Sequence, residues 1–251
     1  MSLVEPDLAL VVVAAVLVLF AAFAARWAAL GVEREVLVAA ARAAVQLTVV
    51  ALVIAAVLSS DALSFVFVGG MLVAAAVTSA QRIAGWRSAP WAGIAVAAGA
   101  VPVLALILAS GAVPFSGPAI VATSGIVIGG AMTACGQAGR RARDELRARA
   151  GEFEAALALG LDRRAAGLEI ARPSAAQALF PPLDQTRTVG LVTLPGAFIG
   201  VLLGGGSAGE AASAQILVLF GLLAAEVVAV AVTLELVVRD RFAVRAASAG
   251  T

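Results

Sequence analysis

The sequence predicts an all-α membrane protein of about seven transmembrane helices, and three observations carry that prediction. Hydrophobic residues make up 62% of the 251, and only 13% are charged. Mean hydropathy is +1.05. A soluble domain of this length needs far more polar residues to cover its surface. The second observation is run length: the apolar stretches suffice to cross a hydrocarbon core, which takes about 20 helical residues. The third is the absence of period-2 alternation, which argues against a transmembrane barrel.

Helices are expected at 8–25, 36–58, 63–80, 91–109, 119–138, 186–203 and 213–238. Ser59-Ser60-Asp61, Pro90, Gly111 to Pro118 and Gly204 to Gly209 supply the turn and cap signals between them. Glu5 and Asp7 precede the first apolar run, where a secretory signal would need positive charge. The chain reads as one transmembrane domain, 1–251.

Charge placement orients it. All seventeen basic residues are Arg, and there is no Lys, His or Tyr. One set of loops holds Arg26, Arg34, Arg82, Arg87, Arg140 through Arg172, Arg239, Arg241 and Arg245, with Arg42 and Arg187 just inside helices on that side. The opposite set holds no Arg, only Glu5, Asp7, Asp61 and Glu210. Positive residues stay cytoplasmic, so the N-terminus is expected outside and the C-terminus in the cytoplasm of a bacterial plasma (inner) membrane. The absence of Lys excludes a P-loop ATPase, and Gly204-Gly205-Gly206-Ser207 is only a loop. A single Cys, Cys135, supports neither a disulfide framework nor a thiolate zinc cluster.

Residues 140–184 form the only sizeable soluble segment. Arg140-Arg141-Ala142-Arg143-Asp144-Glu145 opens a charged extension of the fifth span. Ala150, Phe153 and Leu157 then give an apolar stripe at i, i+3, i+7. Gly160 stops that helix, Asp162 caps a second one, and Pro173 is expected to end it. Ser174-x-x-Gln177 fits a capping box for the next turn, and Pro181-Pro182 is expected to break the chain before the sixth span. A solvated loop with headgroup-facing arginines is the plain alternative.

The spacing Glu154-Ala155-Ala156, three residues, Gly160, nine residues, Ile170, two residues, Pro173 resembles the EAA loop of ABC permeases, with Arg172 in place of a Leu. The resemblance implies a coupling helix docked in a separate cytoplasmic ATPase, with Glu154 docking and Gly160 turning. The stretch from Pro182 through Asp184, Thr186, Arg187, Gly190, Thr193, Pro195 and Gly196 resembles the FetB family of ABC transporter permeases, assigned to bacterial iron export, with plant relatives linked to aluminium tolerance. Arg42-x-x-x-Gln46-Leu47, Gly129-x-x-Met132 and Gln215-Ile216 match it as well, so the resemblance covers about residues 8–240. It implies a homodimer in the bilayer with two ATPase copies, which carry ATP and Mg. No cofactor is expected in this chain, and no nucleic acid. Two departures concern the cargo: Ala197 and Phe198 stand where the family usually has two methionines, and Gly130 where it commonly has Asn.

Polar residues within the spans are candidates for the path. Arg42 and Gln46 share a face of the second span; Arg42 is either a snorkelling anchor or a partner for Glu226 or Glu235. Glu226, near mid-membrane, would neutralise a cationic substrate, pair with Arg42, or sit protonated. Pro195-Gly196 would kink the sixth span or form a hinge lining the pathway, with Thr186, Thr188 and Thr193 adding hydroxyls. Met132 and Cys135 share a face, and packing is the better reading. Three functions follow: an ABC permease for iron, another metal or a nucleotide sugar; an ATP-independent secondary transporter or channel; and a membrane enzyme, for which the spans offer little catalytic material.

Overall fold

In a computed structural model, residues 8–58 and 60–242 are described. Glu5, Asp7, Ser59 and Arg245 from the reading above lie outside them. The described residues are helical and fall into two compact units, 1–59 and 60–251.

The first unit is a helical hairpin, α1 (Leu8–Trp27) and α2 (Glu33–Leu58). Ala29 and Gly31, both at positive φ, turn the chain between them. Arg26 and Glu33 pair across the turn at 3.6 Å. Val, Leu and Phe side chains cover the outside of α1, including Leu17, Phe20 and Phe23. That inverts the soluble pattern and suits a lipid face.

The second unit holds α3 (Asp61–Ile83), α4 (Ala89–Ala109), α5 (Gly117–Ala148), α6 (Ala150–Ala158), α7 (Arg163–Ala176), α8 (Phe180–Thr188), α9 (Gly196–Leu203) and α10 (Ala208–Val238), with 3-10 turns at Trp86–Ser88 and Gln177–Leu179. Its core is built from small residues, so helix backbones approach closely. A Cβ at Gly99 would stand 2.2 Å from the Ala225 carbonyl oxygen, and one at Gly139 would stand 2.5 Å from Ile83 Cδ1. Gly99 thus sets the α4–α10 contact and Gly139 the α3–α5 contact. Cys135 is fully buried in this core, and Ser79 Oγ donates to the Met132 carbonyl at 3.0 Å. Packing is therefore the role of the 132–135 face.

Among the described residues, six helices are long and apolar enough to cross a membrane: Leu8–Trp27, Glu33–Leu58, Asp61–Ile83, Trp86–Ala109, Gly117–Ala148 and Ala208–Val238. The protein is a multi-pass membrane protein, but the expected continuous span at 186–203 is not formed. The helix stops at Thr188 and resumes at Gly196. Gly190, at φ 81°, turns the backbone, and its N–H donates to the Thr193 carbonyl at 2.9 Å. Pro195 is the N-cap of α9. The interruption is therefore seven residues of non-helical chain and not a kink at Pro195-Gly196.

Two other prolines also differ from expectation. Pro181 and Pro182 do not break the chain before a span; they occupy the first turn of α8, where a missing N–H costs nothing. Pro173 does not end its helix, since α7 runs on to Ala176. Ile170, Ala171 and Ala175 bury one face there, and the Ser174 hydroxyl donates to Glu145 Oε2 at 2.8 Å instead of capping a new turn. Tertiary packing outweighs one lost backbone hydrogen bond. Helix α10 starts earlier than the expected 213 because Ser207 and Glu210 form a full capping box.

Candidate functional site

The arginines of the second unit gather at one end of its bundle. Arg143 donates to the Ile83 carbonyl at the end of α3. Arg241 lies over the Trp91 ring at 4.9 Å, joining the end of α10 to the start of α4. The ends of α3, α5 and α10 and the start of α4 therefore meet. At the opposite end Phe65 of α3 contacts Phe115 at 5.9 Å.

Beneath the arginine-rich end, α6 and α7 form a helical hairpin. Helix α5 continues unbroken through the charged stretch to Ala148. Arg149 bridges the junction, pairing with Glu145 at 3.5 Å and with Glu152. These contacts raise the pKa of Arg149 and lower that of Glu152, chiefly through their shared hydrogen bonds. Gly160, at φ 95°, closes α6, and Asp162 caps α7 by accepting from the Ala165 N–H at 2.7 Å. Arg163 covers the Phe153 ring at 5.5 Å, holding the two helices together.

The hairpin is clamped to both long helices. Arg164 makes a two-pronged pair with Glu235 of α10, at 2.6 and 2.9 Å, and Arg239 reaches the same carboxylate at 2.5 Å. Glu235 is thus engaged by these two arginines, and Arg42 and Gln46 are exposed on α2. Gly167 lies against Val238, where a Cβ would stand 3.0 Å from Cγ1. Of the motif residues, Ile170 is buried, whereas Glu154 and Ala155 on α6, Gly160 at the turn and Pro173 on α7 are exposed and Ala156 is half-buried. Leu159 and Leu161 flank Gly160, and Leu159 is 83% exposed. The anchored hairpin thus ends in an exposed apolar tip.

The second feature is a cavity of about 320 Å³ within the bundle. It is lined from α5 by Ile126, Gly130, Thr133 and Gln137, from α8 by Pro181, Pro182 and Gln185, and from α10 by Leu222 and Glu226. Glu226 is only 7% exposed, and its Oε2 has no hydrogen-bond partner among the described residues. It lies about 18 Å along α10 from Val238 at the usual helical rise. Gln215, about three turns further along the same face, also has a buried acceptor, Oε1, without a partner among the described residues.

The other predicted path residues lie outside this cavity's lining. Thr186 and Thr188 donate back to the Pro182 and Asp184 carbonyls at 2.7 and 2.9 Å. Arg187 pairs with Asp184 at 3.1 Å. Thr193, Pro195 and Gly196 belong to the interruption between α8 and α9. Thr133, Gln137 and Arg164 are marked by no sequence motif, and Gln185 lies within the 182–196 stretch without being singled out. The Arg164–Glu235 contact spans 71 residues.

Residues 8–242 match the model of the uncharacterised protein family UPF0014, and the chain belongs to that family. It is 35% identical over 205 residues to the UPF0014 membrane protein STAR2 of Oryza sativa subsp. japonica, covering 79% of this chain and 71% of that one. Identity to the protein ALUMINUM SENSITIVE 3 of Arabidopsis thaliana is 31% over 227 residues, covering 87% and 79%. Identity to the probable iron export permease protein FetB of Escherichia coli K12 is 29% over 197 residues, covering 77% and 76%. No solved structure matches.

Proposed function

We propose that this protein is the membrane-spanning permease of an ATP-driven transporter, working as two copies with two copies of a separate cytoplasmic ATPase. The observation that carries the reading is the α6–α7 hairpin. It presents an apolar tip at Leu159 and Leu161 and is clamped through Arg164–Glu235 and Ser174–Glu145 to α10 and α5. A hairpin fixed to two long helices moves them when it is moved, whereas a solvated loop would not. On this reading the arginine-rich end faces the cytoplasm. The segment 180–203 then completes a crossing as two half-helices, whose freed backbone groups are tolerated where they line a path.

ATP and Mg belong to the partner, since this chain has no Lys for a P-loop. ATPase closure would pull the hairpin inward and shift α5 and α10 around the interruption at 189–195. Residues Thr186, Arg187, Thr193, Pro195, Gly196 and Glu226 are assigned to the path, and Arg42 with Gln46 to a polar pair on α2. Outward transport of iron, from a bacterial plasma membrane, is the assignment that the name of the Escherichia coli relative suggests. The test is co-purification with a candidate cytoplasmic ABC ATPase of the same organism. Glu154→Arg and Gly160→Pro should each abolish association and ATPase coupling while the permease still inserts. Intact coupling in both variants would refute the docking role.

A further inference from the structure

We propose that the cavity between α5, α8 and α10 is a cation site whose ligand carries one positive charge on a small, partly apolar body, as an organic ammonium does. The inference rests on the reading of the protein as a transporter and departs from the iron that the name of the Escherichia coli relative suggests, naming a different class of cargo for this cavity.

Among the described residues, Glu226 is the only charged one in the lining. It is more than nine-tenths buried, and Oε2 has no partner among the described residues. An ionised carboxylate so placed carries a large desolvation cost, which either a bound proton or a cationic ligand relieves. Gly130 lets Leu222 and the carboxylate lie close against α5: a Cβ there would stand 2.8 Å from Glu226 Oε1 and 2.1 Å from Leu222 Cδ1. A side chain at 130 would push Leu222 and the Glu226 carboxylate out of their places in the lining.

The rest of the lining sets the kind of cation. Thr133, Gln137 and Gln185 are neutral polar groups, while Ile126, Leu222, Pro181 and Pro182 are apolar. One carboxylate balances one positive charge. A hard divalent ion takes about six or more oxygen ligands, usually with several carboxylates or retained waters. Apolar walls would leave part of such a shell unfilled. An alkylammonium instead places its charged head on Glu226 and its carbon body against Leu222, Ile126 and the proline pair. A cavity of about 320 Å³ is also the size of a small-molecule site.

The test uses the full chain in lipid nanodiscs without the ATPase, with radiolabelled tetraethylammonium as the probe and Mn²⁺ as the competing class. Tetraethylammonium should bind saturably and be displaced by other alkylammonium ions. Glu226→Gln should bind it about tenfold or more weakly, the scale of one lost charge-assisted contact. Gly130→Ala should weaken binding with the carboxylate still present, and Asp61→Asn should leave it unchanged. If Glu226→Gln does not fold, Glu226→Asp serves instead, with weakened binding and an unchanged elution profile expected.

Three results would overturn the proposal: equal tetraethylammonium affinity in wild type and Glu226→Gln, Glu226-dependent binding of Mn²⁺ alone, or binding of neither. The permease reading fails separately. Binding is measured without the ATPase, so Glu154→Arg should retain it whether or not ATPase docking holds.

Discussion

The hairpin beneath the bundle and the cavity within it treat polar groups in opposite ways. On the hairpin and its supports, Arg149, Arg164 and Glu235 each meet a partner of opposite charge, and Ser174 donates to Glu145. In the cavity a carboxylate is buried with an oxygen that has no hydrogen-bond partner among the described residues, and Gly130 lets it pack close against α5. A part that transmits motion must be held in one geometry, so its charges are satisfied within the protein. A part that receives a ligand must leave some interaction for the ligand to complete, and it carries the cost while empty. On the proposed function the first region is the lever and the second the path.

Reversing the anchor is expected to have the largest effect. Arg164→Glu sets two carboxylates against each other at Glu235 and should free α7 from α10. Coupled ATPase stimulation should fall about tenfold, the scale of ordinary coupling energies between sites. The charge swap Arg164→Glu with Glu235→Arg should restore part of it, read as ATP turnover of the reconstituted complex. No loss in the single variant would remove the anchor from the mechanism.

The cavity should respond in the other sense. Glu226→Met removes the unmatched carboxylate with little change of volume. It should stabilise the ligand-free protein by about 1–3 kcal/mol, the usual cost of an unsatisfied buried polar group. Thermal unfolding in detergent reads this as a raised midpoint, accompanied by lost tetraethylammonium binding. A lowered midpoint would mean that Glu226 is structural and that the contrast between the two regions is false.

The smallest effect is a pH dependence confined to the α5–α6 junction. The Arg149 hydrogen bond holds the Glu152 carboxyl below its ordinary range. A carboxylate whose pKa is lower in the folded state stabilises it above the unfolded pKa of about 4.3, and that contribution disappears as pH falls through the folded value. Amide exchange on α6, corrected for intrinsic rates, should therefore rise at acid pH in wild type. In Glu152→Gln the rise should be smaller, because the pair is already absent at neutral pH.

Much of this architecture was legible in the sequence, for identifiable reasons. Membrane embedding follows from composition, and the turn at Gly160 and the cap at Asp162 follow from local backbone chemistry that packing did not override. Prolines misled where tertiary context decides: Pro173 sits inside α7 because buried neighbours hold the helix, and Pro181-Pro182 opens α8 instead of ending a segment. The sequence marks a break in this span at Pro195-Gly196 but not its start, because Leu191, Val192 and Leu194 continue the apolar run while the helix already stops before Gly190, at positive φ. The Ser207–Glu210 capping box had its S-x-x-E signal in plain view. Glu226 stood out by type and depth, but its cavity partners on α5 and α8 are far away in sequence, so only the packed helices bring them together.

The measurement that bears most directly on the lever is labelling of a single cysteine at the hairpin tip, Leu159→Cys with Cys135→Ala, by a membrane-impermeant maleimide. The account predicts rapid labelling in inside-out vesicles, none in right-side-out vesicles, and protection when the ATPase is bound. Labelling from the outside, or labelling that the ATPase leaves unchanged, would contradict it.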